Sequence, residues 1–360
     1  MSNTQQSRSI FVRSDGKLSI QEVTESYTPQ GSQSLIQVKY SGINPCDLNF
    51  FHIGLHSFIT GFDFAGTVVE KGPDSPFQVG DTVCGTSPVN VPQASHFGSH
   101  QDLVIGESRL LYQIPPGLDM KDASALVLVS HTAIDGLFNA LGFGFPAADI
   151  QGDDPKDRPI LIWGGATSVG IVAIQLAKAA GFSPIFTTAS SKNHATLKEY
   201  GATKCFDYNS PSVLEDIKAA AKSLNITLSA AFDTAGKGAL SEGDAFLNSS
   251  PALTKKSLSP GVAPKDLKLA CSQPVPSDPA FKLCTSYRPH GSFDALGFPQ
   301  DPKTPERVYE IMKYFIESKQ TALKLPKVTA VKGAEAGIAA IEKVAHGNVS
   351  LEKITIEHPM

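Results

Sequence analysis

An apolar run, Ile160-Leu161-Ile162-Trp163, passes directly into Gly164-Gly165-Ala166-Thr167-Ser168-Val169-Gly170. Beyond it, apolar residues recur at helical spacing (Val169, Val172, Ala173, Leu176, Ala180) until Gly181 can end the helix. A short strand, a turn of small residues and a helix form the first half of a βαβ unit. Such a turn has a chemical use. Small residues let the backbone close on a pyrophosphate, and the unpaired N–H groups of the helix start face its negative charge. Gly165, Thr167, Ser168 and Val169 are therefore candidate cofactor-binding residues, and Gly170 lets the helix pack close to the strand. The run departs from the strict G-x-G-x-x-G form, so an ordinary tight turn stays open on these residues alone. Its place between a strand and a helix favours the phosphate reading.

The alternation continues with a strand at 184–188, a helix at 194–200, a strand at 205–208, a helix at 213–223 and a strand at 230–233. This order predicts an α/β domain with a doubly wound parallel sheet. In an NAD site an Asp or Glu near the end of the second strand binds the adenosine ribose hydroxyls. Here residues 187–193 read Thr-Thr-Ala-Ser-Ser-Lys-Asn, without an acid. Hydroxyls and a cation suit a 2′-phosphate, so Ser190, Lys192 and Asn193 are candidate contacts and NADPH is the expected cofactor. Capping of the next helix by Ser190 and Ser191 is a compatible reading.

The flanks have a different texture. Residues 34–41, 65–71, 81–84 and 101–105 read as short strands broken by Gly and Pro, the mark of a β-rich domain. Residues 123–141 are rich in Ala and Leu and read as helical, and 142–159 form a connector. The stretch 249–279 is the least legible, and the tail shows a helix at 305–318 and a strand at 351–357. A length of 360 residues suits two domains. A net charge of −4 without a Lys/Arg block argues against a nucleic-acid partner. No apolar run approaches the ~18 residues that span a bilayer, and the polar start lacks the apolar centre of a secretory signal. The five cysteines (Cys46, Cys84, Cys205, Cys271, Cys284) form no C-x-x-C pair. A cytoplasmic protein with reduced thiols and no membrane partner is expected.

Several ordered segments resemble one family. Gly42-Ile43-Asn44-Pro45-Cys46-Asp47 is similar to the G-x-N-P-x-D segment of zinc-free medium-chain dehydrogenases/reductases. Gly61-Phe62-Asp63-Phe64-Ala65-Gly66-Thr67-Val68-Val69, then Val79-Gly80-Asp81-Thr82-Val83, resembles their next signature. Thr132-Ala133, the glycine turn, Gly201-Ala202, Phe206-Asp207-Tyr208 and the ending SLEKITIEHP follow in the family's order. The nearest flavour is the group of quinone oxidoreductase-like proteins and fungal trans-acting enoyl reductases of polyketide pathways.

The resemblance implies a Rossmann cofactor domain, 131–299, inserted in a β-rich GroES-like catalytic domain formed by 1–130 and 300–360. It adds Tyr208 to the cofactor contacts and implies a pocket with Asn44, Cys46, Asn49 and Thr132 as candidate catalytic residues. Cys46 stands where relatives keep a proton-relay hydroxyl and reads as a pocket-lining thiol before a nucleophile. Thr132 could touch cofactor or substrate. Zinc members of the superfamily carry Cys in place of Asn44 and Gly-His-Glu in place of Gly61-Phe62-Asp63; without those ligands no metal is expected. His52 and His56, four residues apart, read as loop residues rather than metal ligands.

Without a Lewis acid, hydride transfer to an activated C=C of an enone or enoyl thioester, or to a quinone, is the expected reaction, plausible in fungal secondary metabolism. Many relatives carry Lys where this chain has Asn49, which cannot supply a positive charge. Two alternatives therefore stand: a repurposed scaffold for non-redox cyclisation or rearrangement, and a zinc-free carbonyl or alcohol oxidoreductase. The expected partner is a small molecule, free or as a carrier- or synthase-bound polyketide, and the protein is a monomer or a homodimer. Residues 291–298 could lie near the nicotinamide or at a dimer edge.

Overall fold

The computed structural model describes residues 7–294, 297, 299–318 and 323–360. The chain divides into two compact units: Met1–Leu128 with Tyr287–Pro302 and Leu325–Met360, and Val129–Ser286 with Lys303–Lys324.

In the first unit, strand Ser34–Gly42 is the hub of a seven-stranded sheet. It pairs antiparallel with Asp63–Lys71, with Leu103–Gly106 and with the C-terminal strand Lys353–Glu357. Alternation turns Ile36, Val38, Phe64 and Val68 into one core together with Val83, Val104 and Leu111. A second core lies under helix Gly333–Ala345, whose Ala334, Gly337, Ala340 and Ile341 form its buried face. A Cβ on Gly337 would stand 2.7 Å from Ile356 Cδ1, so the glycine sets that close approach. The register decides what meets at the sheet's end: Gly42 pairs with Asp63 on one side and Thr355 on the other. Asn44, Asp63 and Lys353 are thereby drawn from three distant stretches of sequence into one place.

The second unit holds a six-stranded, all-parallel sheet. Its spatial order is Lys204–Phe206, Ile185–Thr188, Ile160–Trp163, Ala230–Asp233, Lys268–Cys271, Phe281–Leu283. Third, second, first, fourth, fifth, sixth is the doubly wound arrangement that places ligands where the order reverses. The three central strands are buried along their whole length, and Ile160–Trp163 accordingly reads as an unbroken apolar run. Helix Ser168–Ala180 is capped by Thr167 at its start and by Gly181 at φ +94° at its end.

Expected strands or helices at 160–163, 194–200, 213–223 and 230–233 coincide with observed elements. Three differ. The stretch 249–279 contains helix Ser250–Lys256, capped by Ser249, and the sheet strand Lys268–Cys271. The strand expected at 205–208 stops at Phe206, because Asp207 turns back to accept the Asn209 N–H at 2.9 Å. The helix expected at 123–141 is three pieces, Met120–Ser124, Val127–Ile134 and a π-helical turn Asp135–Ala140. That turn is held by the Asp135 carboxylate, which accepts from Asn139 Nδ2 at 2.8 Å and Thr285 N–H at 2.9 Å.

Candidate functional site

The glycine turn of the second unit is built with no room to spare. A Cβ on Gly165 would lie 2.0 Å from Thr187 Oγ1, and one on Gly170 would lie 2.4 Å from the Gly164 carbonyl oxygen. Gly164 N–H donates to Thr188 Oγ1 at 3.0 Å and Gly165 N–H to the Thr188 carbonyl at 2.9 Å, tying the turn to the second strand. Thr167 Oγ1 accepts the Gly170 N–H at 2.9 Å and donates to Thr234 Oγ1 at 3.1 Å. The N–H groups of Ser168 and Val169 meet no acceptor among the described residues. Two open amides at the positive end of a thirteen-residue helix, over a surface kept bare by glycine, can hold a diphosphate. Gly165, Thr167, Ser168 and Val169 all belong to this cradle.

At the end of the second strand, Ser190 Oγ donates to Tyr208 Oη at 3.1 Å, so two expected cofactor contacts are brought together. Lys192 is exposed and Tyr208 is 48% exposed, whereas Asn193 is buried. One neighbour escaped the sequence reading. Asp207 Oδ2 accepts the Ser191 N–H at 3.4 Å, bringing a carboxylate from the third strand to the edge of the Ser190–Asn193 turn. Backbone and side-chain bonds from Asn209 hold its carboxyl below the usual range. Its contact needs the register of the Ile185–Thr188 and Lys204–Phe206 strands, which no local pattern shows.

Thr132, also in the second unit, lies on helix Val127–Ile134 and is 8% exposed. Its neighbour His131 is buried, with Nδ1 3.2 Å from the Ser286 carbonyl oxygen. Burial pulls the imidazole down to about 4.

In the first unit, Asn44, Cys46 and Asn49 share one turn of chain around the short helix Cys46–Asn49. Asn44 is 1% exposed and fully engaged: Nδ2 donates to the Gly42 carbonyl at 3.3 Å, and Oδ1 accepts from the Lys353 ammonium. Cys46 and Asn49 are half-buried; the Asn49 backbone N–H donates to the Pro45 carbonyl at 3.0 Å, and its side-chain amide has no hydrogen-bond partner among the described residues. Burial, with Asp47 beside it, pushes the Cys46 thiol well up.

Lys353 is the residue of this cluster that the sequence did not advertise. It also faces Asp63 Oδ2 at 3.9 Å, with its side chain 5% exposed and that of Asp63 fully buried. Burial lifts the Asp63 carboxyl to about 7 against the opposing pull of Lys353, and lowers the lysine against the pull of Asp63 and Asp47. A lysine amid a strand-like apolar tail was the available sign. His52 lies exposed in a 3₁₀ turn, and His56 bonds Ser57 Oγ at 3.1 Å. No group of three or more His, Cys, Asp or Glu side chains that could hold a metal occurs among the described residues. Of the segment 291–298, Ala295, Leu296 and Phe298 lie outside the described residues.

Comparison with known proteins follows the division of the chain. Residues 30–116 match the alcohol dehydrogenase GroES-like domain family, and residues 168–249 match the zinc-binding dehydrogenase family. The chain is 33% identical over 214 residues to the trans-enoyl reductase RAP2 of Pyricularia oryzae, covering 59% of this chain and 60% of that protein. It is 36% identical over 195 residues to the trans-enoyl reductase fsa3 of a Fusarium species, covering 52% and 53%. The matches thus span between half and three-fifths of these relatives' length. Among solved structures, an alcohol dehydrogenase superfamily protein from Novosphingobium aromaticivorans superposes with a TM-score of 0.71 at 22% identity, covering 99% of this chain and 100% of that one.

Proposed function

The chain belongs to the medium-chain dehydrogenase/reductase superfamily, and from that premise we propose that it reduces an activated C=C of an enone or enoyl thioester, or a quinone, with NADPH and without zinc. The observation that carries the redox reading is the Gly164–Gly170 turn with the open amides of Ser168 and Val169. The relatives named trans-enoyl reductases support the choice of an enoyl substrate.

When bound, the nicotinamide supplies the hydride; what this chain supplies is position and charge. Gly165, Thr167, Ser168 and Val169 hold the diphosphate. Ser190, Lys192, Asn193 and Tyr208 receive the 2′-phosphate, with the lysine giving the positive charge and the hydroxyls hydrogen bonds. The Asp207 carboxylate is taken up by Asn209 and Ser191. Thr132 orients cofactor or substrate. The free amide of Asn49 donates to the substrate carbonyl oxygen, where negative charge develops during hydride transfer. Cys46 lines the pocket as a neutral thiol. The proton for the α-carbon then comes from water.

Zinc does not suit the residues present. Asn44 offers an amide oxygen that already accepts from an ammonium, and Phe62 is buried against Phe50 and Phe58. A dication would be placed beside Lys353 and repelled by it. The substrate is a small molecule, free or carried on a synthase, and a cytoplasmic location fits an enzyme without a membrane-crossing helix among the described residues.

The test is NADPH oxidation with a panel of small enones, enoyl thioesters and quinones, with and without a chelator. Turnover that the chelator leaves intact is expected. Turnover abolished by chelation and restored by zinc overturns the metal-free mechanism, and conversion of substrate without NADPH loss overturns the reductase reading.

A further inference from the structure

Five side chains of the first unit form an unbroken hydrogen-bonded row. Asp47 Oδ2 lies 3.2 Å from His100 Nε2, and His100 Nδ1 lies 2.9 Å from Ser41 Oγ. Ser41 Oγ lies 2.9 Å from His358 Nε2, and His358 Nδ1 lies 3.1 Å from Asp102 Oδ1. The side chains of Asp47 and His100 are 0% exposed, that of His358 is 2% and that of Asp102 is 23%, so the row runs from the interior to solvent. Room for the His100 ring comes from Gly61, where a Cβ would stand 2.6 Å from both Cγ and Nδ1.

Each of the four links needs one hydrogen. Two neutral imidazoles bring one each and the serine hydroxyl brings a third. A row ending in two carboxylates is therefore complete only with one further proton. We propose that this proton resides on His100, as a buried imidazolium paired with Asp47, and that through Asp47 the histidine is a positioning residue for the turn carrying Asn44, Cys46 and Asn49. All four links then form in one sense. His100 donates to Asp47 from Nε2 and to Ser41 from Nδ1, the Ser41 hydroxyl donates to His358 Nε2, and His358 donates to Asp102 from Nδ1.

The mirror arrangement, with the charge on His358, also closes the row, and three observations weigh against it. Asp47 is wholly buried; among the described residues its Oδ1 has no hydrogen-bond partner and its Oδ2 otherwise accepts only the Asn44 N–H at 2.7 Å. Asp102 is partly hydrated and also receives the Met360 N–H and the Ser7 hydroxyl. The need for a neighbouring cation is thus greater at the Asp47 end. Of the other cations nearby, Lys39 faces Glu357 at 3.4 Å, and Lys353, although Asp47 also attracts it, makes its contacts to Asn44 and Asp63. Lastly, burial pulls the His358 imidazolium below its usual range; Asp102 opposes this, while His100 and Lys39 add to it.

Asp47 transmits the effect. Its carboxylate fixes the Asn44 amide, and its carbonyl accepts from Thr60 Oγ1 at 2.6 Å, which sets the first turn of the Cys46–Asn49 helix. The protonation state rests on the geometry of the row and the burial of its ends; its bearing on catalysis rests on the proposed function.

The full chain labelled with ¹⁵N-histidine, with His100→Gln and His358→Gln spectra for assignment, tests this without substrate, so failure here is separable from failure of the reductase reading. At pH 7, His100 is expected to show both ring nitrogens protonated and His358 only Nδ1. A neutral His100 in the wild-type spectrum overturns the proposal whatever the variants do. Asp47→Asn is expected to make His100 neutral at pH 7 and Asp102→Asn to leave it charged; a wild-type spectrum with His358 doubly protonated and His100 neutral establishes the mirror arrangement and overturns the proposal. In uniformly ¹⁵N-labelled protein, the Asn44 amide is expected to shift with the His100 ring as pH rises, and an Asn44 amide that does not follow removes the positioning role.

Discussion

At position 131 a histidine is buried as the neutral form, donating to the Ser286 carbonyl. Its imidazole titrates at about 4 in the fold, against about 6.5 in an unfolded chain. A depressed pKa stabilises the fold fully above the unfolded value, and that contribution is lost as pH falls through the folded one. Two to three pKa units correspond to about 3 kcal/mol. Urea unfolding is therefore expected to weaken between pH 6.5 and 4, and His131→Gln, which keeps a donor but does not titrate, is expected to flatten that slope. An unchanged slope would show that other groups dominate it. Lys353 gives a second residue-scale expectation. Lys353→Met leaves Asn44 Oδ1 and Asp63 without their cation, which is expected to destabilise the first unit by about 3–5 kcal/mol, read by chemical denaturation. Neither role was visible in sequence. His131 sits in an apolar helix without announcing the carbonyl from residue 286 that receives its proton, and Lys353 lies 309 residues from Asn44.

Among the elements, the strand–turn–helix of the second unit was legible because local chemistry and tertiary role coincide there. Four apolar residues make the strand, glycines make the turn, and Thr167 and Gly181 mark the helix ends. The Lys268–Cys271 strand was hidden because its three buried residues follow a Ser-, Pro- and Lys-rich stretch and offer no period to read. The break of the 123–141 helix was equally hidden, since the groups holding its π turn include Thr285. In the candidate site, the residues of the glycine turn were readable from spacing, whereas Lys353, Asp207 and the His100 row depend on register across a sheet. The turn makes its own prediction. Gly165→Ala drives a methyl onto Thr187 Oγ1 and is expected to weaken cofactor binding at least tenfold, ~1.4 kcal/mol. Thr187→Ala in the same chain removes the struck oxygen and is expected to restore most of the loss. Equal loss in the single and double variants would mean that backbone conformation, not the clash, is responsible.

Across the whole molecule, two units with separate cores should not share one unfolding transition. The single tryptophan, Trp163, is 4% exposed on the central strand of the second unit, so its fluorescence reports that unit, while far-UV circular dichroism reports both. Lys353→Met is expected to shift the dichroism transition to lower denaturant and to leave the tryptophan transition in place; parallel shifts would mean that the units unfold together. Trp163 also precedes the glycine turn directly, which makes it a probe of the central claim. The decisive measurement is a titration of the purified protein with NADPH and, in parallel, NADH, following Trp163 fluorescence, repeated with Lys192→Ala. Saturable quenching by NADPH, binding of NADH at least tenfold weaker, and loss of that difference in the variant are the predicted results. No response of the folded protein to either nucleotide, confirmed by calorimetry, would contradict the proposal that this chain is a nicotinamide-dependent reductase.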